Sequence, residues 1–156
     1  MKTFWIWANI VFLLDRLTKF WFINLTYPGN QDVWQVLPGI NLVKVWNKGV
    51  AFGLFAKDSF LGTLGLIFLN LILLALIFFW AKHKAYKPET KTEIIGLGLI
   101  FGGGVSNLLD RLVFGAVFDF IDLYVKNFHW PAFNIADIAI TLGLFILIYK
   151  QLKHVS

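Results

Sequence analysis

Apolar residues along this chain come in long runs separated by short polar segments. Four runs, roughly 4–26, 59–81, 93–114 and 132–150, are each long enough to cross a hydrocarbon core about 30 Å thick, which takes about 20 helical residues at 1.5 Å each. The pattern changes in the segment after the first run. Val33 to Leu37, the Pro38-Gly39 pair and then Ile40 to Trp46 read as two short strands around a turn. Their aromatic and β-branched residues suit a small sheet resting on a membrane surface. The stretch from Phe118 to Trp130 is short and amphipathic, and Trp130 is well placed to mark an interface as the chain re-enters lipid. There is no internal repeat and no low-complexity tract. The expectation is one integral membrane domain over 1–156, all-α with a small β element and four transmembrane helices.

Composition agrees with the pattern. The chain has 156 residues, of which 58% are hydrophobic, and its mean hydropathy is +0.71; a soluble domain is about 45–50% apolar. Seventeen Phe and seven Trp would leave adhesive patches in water, whereas lipid accepts Phe in its core and Trp at its interfaces. The net charge of +5 comes from short Lys clusters between apolar runs, not from a continuous basic face, which speaks against nucleic acid as a partner. With no Cys, disulfides, thiolate metal sites and cysteine nucleophiles are excluded.

The Lys residues also orient the chain. Seven of them, Lys2, Lys82, Lys84, Lys87, Lys91, Lys150 and Lys153, fall on one side, and four, Lys44, Lys48, Lys57 and Lys126, on the other. The positive-inside rule places both termini in the cytoplasm and segments 27–58 and 115–131 outside. The first run follows a single Lys2 and resembles a secretory leader, but no small-x-small cleavage site follows it and charges interrupt it, so it is expected to be a retained helix.

Six ionisable residues fall inside predicted spans: Asp15, Arg16 and Lys19, then Asp110 and Arg111, then Asp137. Each costs about 2.5–3.5 kcal/mol at a helix centre, so they should point inward and find partners. A purely structural role is open to them, because three acids balance three bases and Asp15 can pair with Lys19 at i,i+4. Charge balance explains less well why amides keep them company. Asn107, Asp110 and Arg111 stand at i, i+3, i+4, and Asn134 and Asp137 at i, i+3, spacings that share a helical face. Asp110 near the outer end of the third helix and Asp137 near the outer end of the fourth lie at similar depth, and Asp119 and Asn47 can reach the same level. An outer-leaflet pocket with several carboxylates is the expectation.

Other chemistries fit poorly. Gly98, Gly102, Gly103 and Gly104 lack the Lys-Ser/Thr of a phosphate loop and lie in an apolar span, where small residues four apart are packing surfaces. His83, His129 and His154 are scattered, so no zinc site is expected. Thr18, Ser106 and Thr141 lack a well-placed His to activate them and should bond their own backbone. Two carboxylates in a low-dielectric pocket, by contrast, cannot both ionise cheaply, so one keeps a proton while the other stays charged. The charged one can take a proton from water attacking a carbonyl as the neutral one donates to the developing oxyanion, with no metal or cofactor.

Five blocks resemble the lipoprotein signal peptidases of bacteria, or signal peptidase II. They are Asp15-Arg16-Leu17-Thr18-Lys19, then Asn47-Lys48-Gly49-Val50-Ala51-Phe52-Gly53, then Gly103 to Arg111, then Val117-Phe118-Asp119-Phe120, and last Phe133-Asn134-Ile135-Ala136-Asp137. The resemblance implies four helices with a small outer β-structure in the bacterial inner membrane, the active site facing outward. It implies cleavage of the signal peptide just before the diacylglyceryl-modified Cys of a prolipoprotein, sensitivity to globomycin-type inhibitors, and contact with membrane lipid. It also implies the roles: Asp119 and Asp137 match the catalytic pair, while spacing alone does not choose between Asp110 and Asp119. By the same resemblance Asp110 is a supporting residue beside Arg111, Asn47, Asn107, Arg111 and Asn134 line the substrate pocket, and Asp15 and Lys19 form a supporting pair. Arg16 departs from the pattern, where a neutral residue such as Gln is common. An ion-coupled transporter and a magnesium-dependent enzyme acting on lipid phosphates are the rival readings; the first lacks repeated halves and broken helices, and chelator sensitivity distinguishes the second.

Overall fold

The computed structural model describes residues 1–30, 32–49, 60–85 and 90–155. Val50 to Gly53 of the second motif block, and Lys57 and Lys87 of the charge count, lie outside these residues. The elements run α1 (Lys2–Asn24), a short 3-10 turn (Pro28–Asn30), β1 (Val33–Leu37), β2 (Ile40–Asn47), α2 (Phe60–Lys84), α3 (Lys91–Phe114), β3 (Val117–Val125), β4 (Phe128–His129) and α4 (Ile135–Val155). All four expected helices are present. Three of them, α2, α3 and α4, are long and apolar enough to cross a membrane. The fourth, α1, is of similar length but carries Asp15, Arg16 and Lys19 in its C-terminal half.

The third helix is the hub, packed against α1, α2 and α4. Its glycines explain how. A Cβ on Gly98 would stand 2.7 Å from the carbonyl oxygen of Phe4, one on Gly102 would collide with that of Ala8, and one on Gly103 would stand 2.6 Å from that of Ala136. The glycine run is therefore the surface on which α1 and α4 approach α3 at backbone distance, as small residues do in membrane bundles. Gly103→Val should drive α4 away from α3 just where α4 begins. Overpacking of this kind costs about 1–3 kcal/mol, so thermal unfolding in detergent should shift clearly downward; an unchanged midpoint would contradict the packing described.

The sheet is larger than the two expected strands. It has four, in the order β1-β2-β3-β4 and antiparallel throughout. The hairpin β1–β2 turns at Pro38-Gly39, where Gly39 takes φ 88, a left-handed conformation that Gly adopts at no steric cost. The segment expected only to be short and amphipathic is strand β3, which alternates faces and pairs with β2, setting Asp119 opposite Val45 and Asn47 opposite Val117. Past β4 the chain turns back along β3. Trp130 N–H donates to Leu123 O at 2.8 Å, and Phe133 exchanges hydrogen bonds with Ile121 at 2.9 and 3.0 Å. This return path delivers residue 134 to the level of residue 119.

The fourth helix begins later than the pattern suggests, at Ile135 and not 132. Asn134 precedes it as a cap: its Oδ1 accepts from Asp137 N–H at 3.0 Å, while Asp137 Oδ2 accepts from Asn134 N–H at 3.2 Å. This reciprocal pair is a capping box. The i, i+3 spacing read as a shared helical face is thus the signature of a helix start.

Candidate active site

Two layers of polar side chains lie between α1, α3, β3 and the start of α4. The deeper layer is ionic. Lys19 Nζ meets Asp15 Oδ2 at 2.8 Å and Asp110 Oδ2 at 2.7 Å, and Arg16 Nη1 donates to Asp110 Oδ1 at 2.7 Å. Ser106 Oγ accepts from Arg16 Nε at 2.8 Å and donates to Asp15 Oδ2 at 2.6 Å. Asp15 Oδ1 in turn accepts the backbone N–H of Ala136 at 2.9 Å, so a carboxylate on α1 receives an amide of the first turn of α4, where negative charge is favoured. Two acids and two bases cancel, which permits burial that a lone ion could not sustain.

The i,i+4 pairing of Asp15 with Lys19 is as expected, but both also reach across to other helices. Arg16 and Ser106 escaped the reading of the sequence as site members. Arg16 is expected from the sequence only to face inward and to alter the pairing near Asp15, and Ser106 to bond its own backbone. The i, i+4 step from Ser106 to Asp110 was the available signal. Thr18 behaves as expected, its hydroxyl donating to Leu14 O and Asp15 O within α1.

The upper layer is built from carboxamides and the two candidate carboxylates. Asn134 is fully buried, and its Nδ2 donates to Asp119 Oδ1 at 2.7 Å while its Oδ1 accepts from the N–H of Asp137. Asn47 Nδ2 donates to the other oxygen of Asp119 at 3.0 Å. Asn107 Nδ2 donates to Asp137 Oδ1 at 2.9 Å, and its Oδ1 accepts from Lys19 Nζ at 2.9 Å, linking the two layers. Each carboxamide oxygen is occupied by a donor: Gly49 N–H for Asn47, Lys19 for Asn107 and Asp137 N–H for Asn134. The N–H groups are thereby turned toward the acids, whose four oxygens each face a donor. Arg111 bonds the carbonyl oxygen of Asn107 at 3.3 Å and lies within the electrostatic reach of Asp137, Asp119 and Asp110.

Burial, and then the neighbouring charge of Asp137, push the Asp119 carboxyl up to about 7, against the opposing hydrogen bonds from Asn47 and Asn134. Asp119 thus sits near the midpoint of its titration at neutral pH, the condition that best suits a proton-transfer group. All nine candidate residues are brought into these two layers. They divide the acids: Asp110 is tied into the ionic layer by Lys19 and Arg16, whereas Asp119 and Asp137 share Asn134. Among the described residues no three His, Asp or Glu side chains form a metal-holding group.

A family model described as signal peptidase (SPase) II matches residues 7–153. The lipoprotein signal peptidase of Blochmanniella pennsylvanica is 43% identical over 145 residues, covering 92% of this chain and 85% of that protein. The lipoprotein signal peptidase of Thermodesulfovibrio yellowstonii is 40% identical over 144 residues, covering 92% of this chain and 90% of its own. A bacterial membrane enzyme solved by the in meso method at 2.3 Å resolution matches with a TM-score of 0.82 at 26% identity, over 100% of this chain and 91% of that one. A second such structure, at 1.9 Å, matches with a TM-score of 0.78 at 26% identity, over 98% and 94%. The chain belongs to the signal peptidase II family.

Proposed function

We propose that this signal peptidase II family member is a single-domain aspartic endopeptidase with four membrane spans and both termini cytoplasmic, working at the outer face of the bacterial inner membrane. It removes the signal peptide of a prolipoprotein by cutting before the diacylglyceryl-modified Cys. Asp119 and Asp137 are the catalytic pair: the ionised member takes a proton from the attacking water and the protonated member donates to the carbonyl oxygen. Asn47, Asn107, Arg111 and Asn134 hold the peptide backbone and the acids in register, since a backbone entering lipid needs partners that water would otherwise supply. Asp15, Lys19 and Asp110 support them from below. Globomycin-type peptides occupy the same pocket. Family membership gives no support to the transporter and lipid-phosphate readings.

The observation that carries the assignment is Asn134, which donates to two carboxylates from different elements, to Asp119 through its carboxamide and to Asp137 through its backbone N–H, while the Asp119 carboxyl is pushed up to about 7. The pH dependence of cleavage tests it. As pH rises through about 7, Asp119 loses its proton, both acids carry charge and the rate should fall. Asn47 donates to the Asp119 carboxylate and so favours its charged form. Asn47→Ala should therefore raise the alkaline limb of kcat to higher pH. A limb that stays in place, or moves down, would count against Asp119 as the titrating acid.

A further inference from the structure

Asp122 and His129 take no part in the chemistry above, yet Asp122 is a buried acid with partners of its own. It lies three residues beyond Asp119 in the alternating strand β3, so the two carboxylates point to opposite faces of the sheet. On the face away from Asp119, Asn41 Nδ2 donates to Asp122 Oδ2 at 2.8 Å, and His129 Nδ1 meets the same oxygen at 2.9 Å. A carboxylate only accepts, so Nδ1 is the ring nitrogen that carries hydrogen. The His129 ring stacks on Tyr124 with centroids 5.2 Å apart, and the Tyr124 hydroxyl accepts a hydrogen bond from Gln35. One polar row thus ties all four strands together, from Gln35 on β1 to His129 on β4.

The backbone near His129 is weakly determined without that row. Strand β4 has only two residues, and the turn leading into it puts Lys126 at φ 56, a left-handed conformation that is costly for most side chains. Tyr124 faces His129 but Ile121 faces Phe133, so three steps along β3 are matched by four along the returning chain. The extra residue falls in a segment that contains Pro131, which has no N–H to continue the ladder. A slip of one residue turns every following side chain to the other face, and the residue that follows Phe133 is Asn134. The His129 side chain spans this break, since it leans past its own partner Tyr124 to bond Asp122, next to the Ile121 that holds Phe133. Resting on the proposed peptidase reading, we infer that His129 is a positioning residue for that reaction: by donating Nδ1–H to Asp122 it fixes where the returning chain slips against β3, and so holds Asn134 against Asp119. It acts from the opposite face of the sheet and bonds neither candidate catalytic carboxylate.

The test uses the full chain in detergent with a diacylglyceryl-modified prolipoprotein, and measures kcat, KM and the thermal midpoint for three variants at His129. The His129 ring is half-exposed and Asp122 keeps its bond from Asn41, so the variants should fold. His129→Ala should lower kcat about tenfold, within the roughly 10²-fold that a 1 Å misplacement can cost, and change KM little. His129→Asn, whose Nδ2 can lie where Nδ1 does, should recover most of the rate. His129→Gln, whose amide lies further out, near the position of Nε2, should not. The contrast between Asn and Gln decides the matter even where His129→Ala yields less folded protein. Equal rates in the Asn and Gln variants, an unaltered kcat in a folded His129→Ala, or a change confined to KM would each overturn the inference. Failure of the unmutated chain to cut the lipidated substrate would instead strike the peptidase reading itself.

Discussion

Asp119→Asn and Asp137→Asn should each lower the rate of prolipoprotein cleavage by about 10²–10⁴-fold, the range that positioned acid–base groups contribute, while leaving the helix bundle intact. Asn keeps the shape of each side chain, and of the two donors that face separate oxygens of Asp119, from Asn47 and Asn134, one can still bond the remaining carbonyl oxygen. What is lost is the ability to exchange a proton. Removing either acid also removes the like-charge partner that keeps one proton in the pair, so the two losses should not add: the double variant should be about as impaired as the worse single one. Burst-free steady-state rates, with far-ultraviolet circular dichroism to verify folding, check both points. Independent, additive losses would mean that the two carboxylates act separately.

Lys19→Met should have the largest effect on stability. Lys19 is buried against Asp15 and Asp110, with distances of 2.8 and 2.7 Å, and Met fills similar volume without the charge. Two buried carboxylates would then face one cation, Arg16, and breaking a buried pair in this way costs about 3–5 kcal/mol. The same substitution leaves Oδ1 of Asn107 with only the longer bond from Asn134 Nδ2, at 3.3 Å, so that the carboxamide is held less firmly with its N–H toward Asp137. The expected outcome is a strongly reduced yield of folded protein, with any surviving enzyme impaired as well. Lys19→Arg, which keeps the charge but changes its shape, should fall between the two. A Lys19→Met protein that unfolds at the original temperature would show that the ionic layer contributes little.

Much of this arrangement was legible in the sequence where the relevant physics is local. The Asp15–Lys19 spacing foretold their pairing, the Pro38-Gly39 turn foretold the hairpin, and the stripe of Gly98, Gly102 and Gly103 foretold a close helix contact. Readings failed where the deciding partner was far away. β3 forms because residues 117–123 pair with β2, 70 to 83 positions earlier (Asn47 with Val117, Ile40 with Leu123), and nothing in its own short amphipathic pattern distinguishes that strand from an interfacial segment. For the same reason spacing could not choose Asp119 over Asp110. The choice depends on the return path that sets Asn134 beside Asp119. The contacts of Arg16 and Ser106 were not legible because α1 is set against α3 by glycines in the N-terminal half of α3, Gly98 and Gly102 against Phe4 and Ala8, away from the charges this aligns. The Asn134–Asp137 box was visible in principle, but an apolar run extended back to residue 132 hid the helix start.

The most direct measurement is the mass of the products formed when purified protein meets a diacylglyceryl-modified prolipoprotein in the presence of EDTA, with Asp119→Asn and Asp137→Asn run in parallel. A product beginning at the lipidated Cys, formed by the unmutated chain despite the chelator and by neither variant, is the result expected of a metal-independent aspartic pair. Cleavage that persists in either folded variant, or that stops when metal is removed, would contradict it.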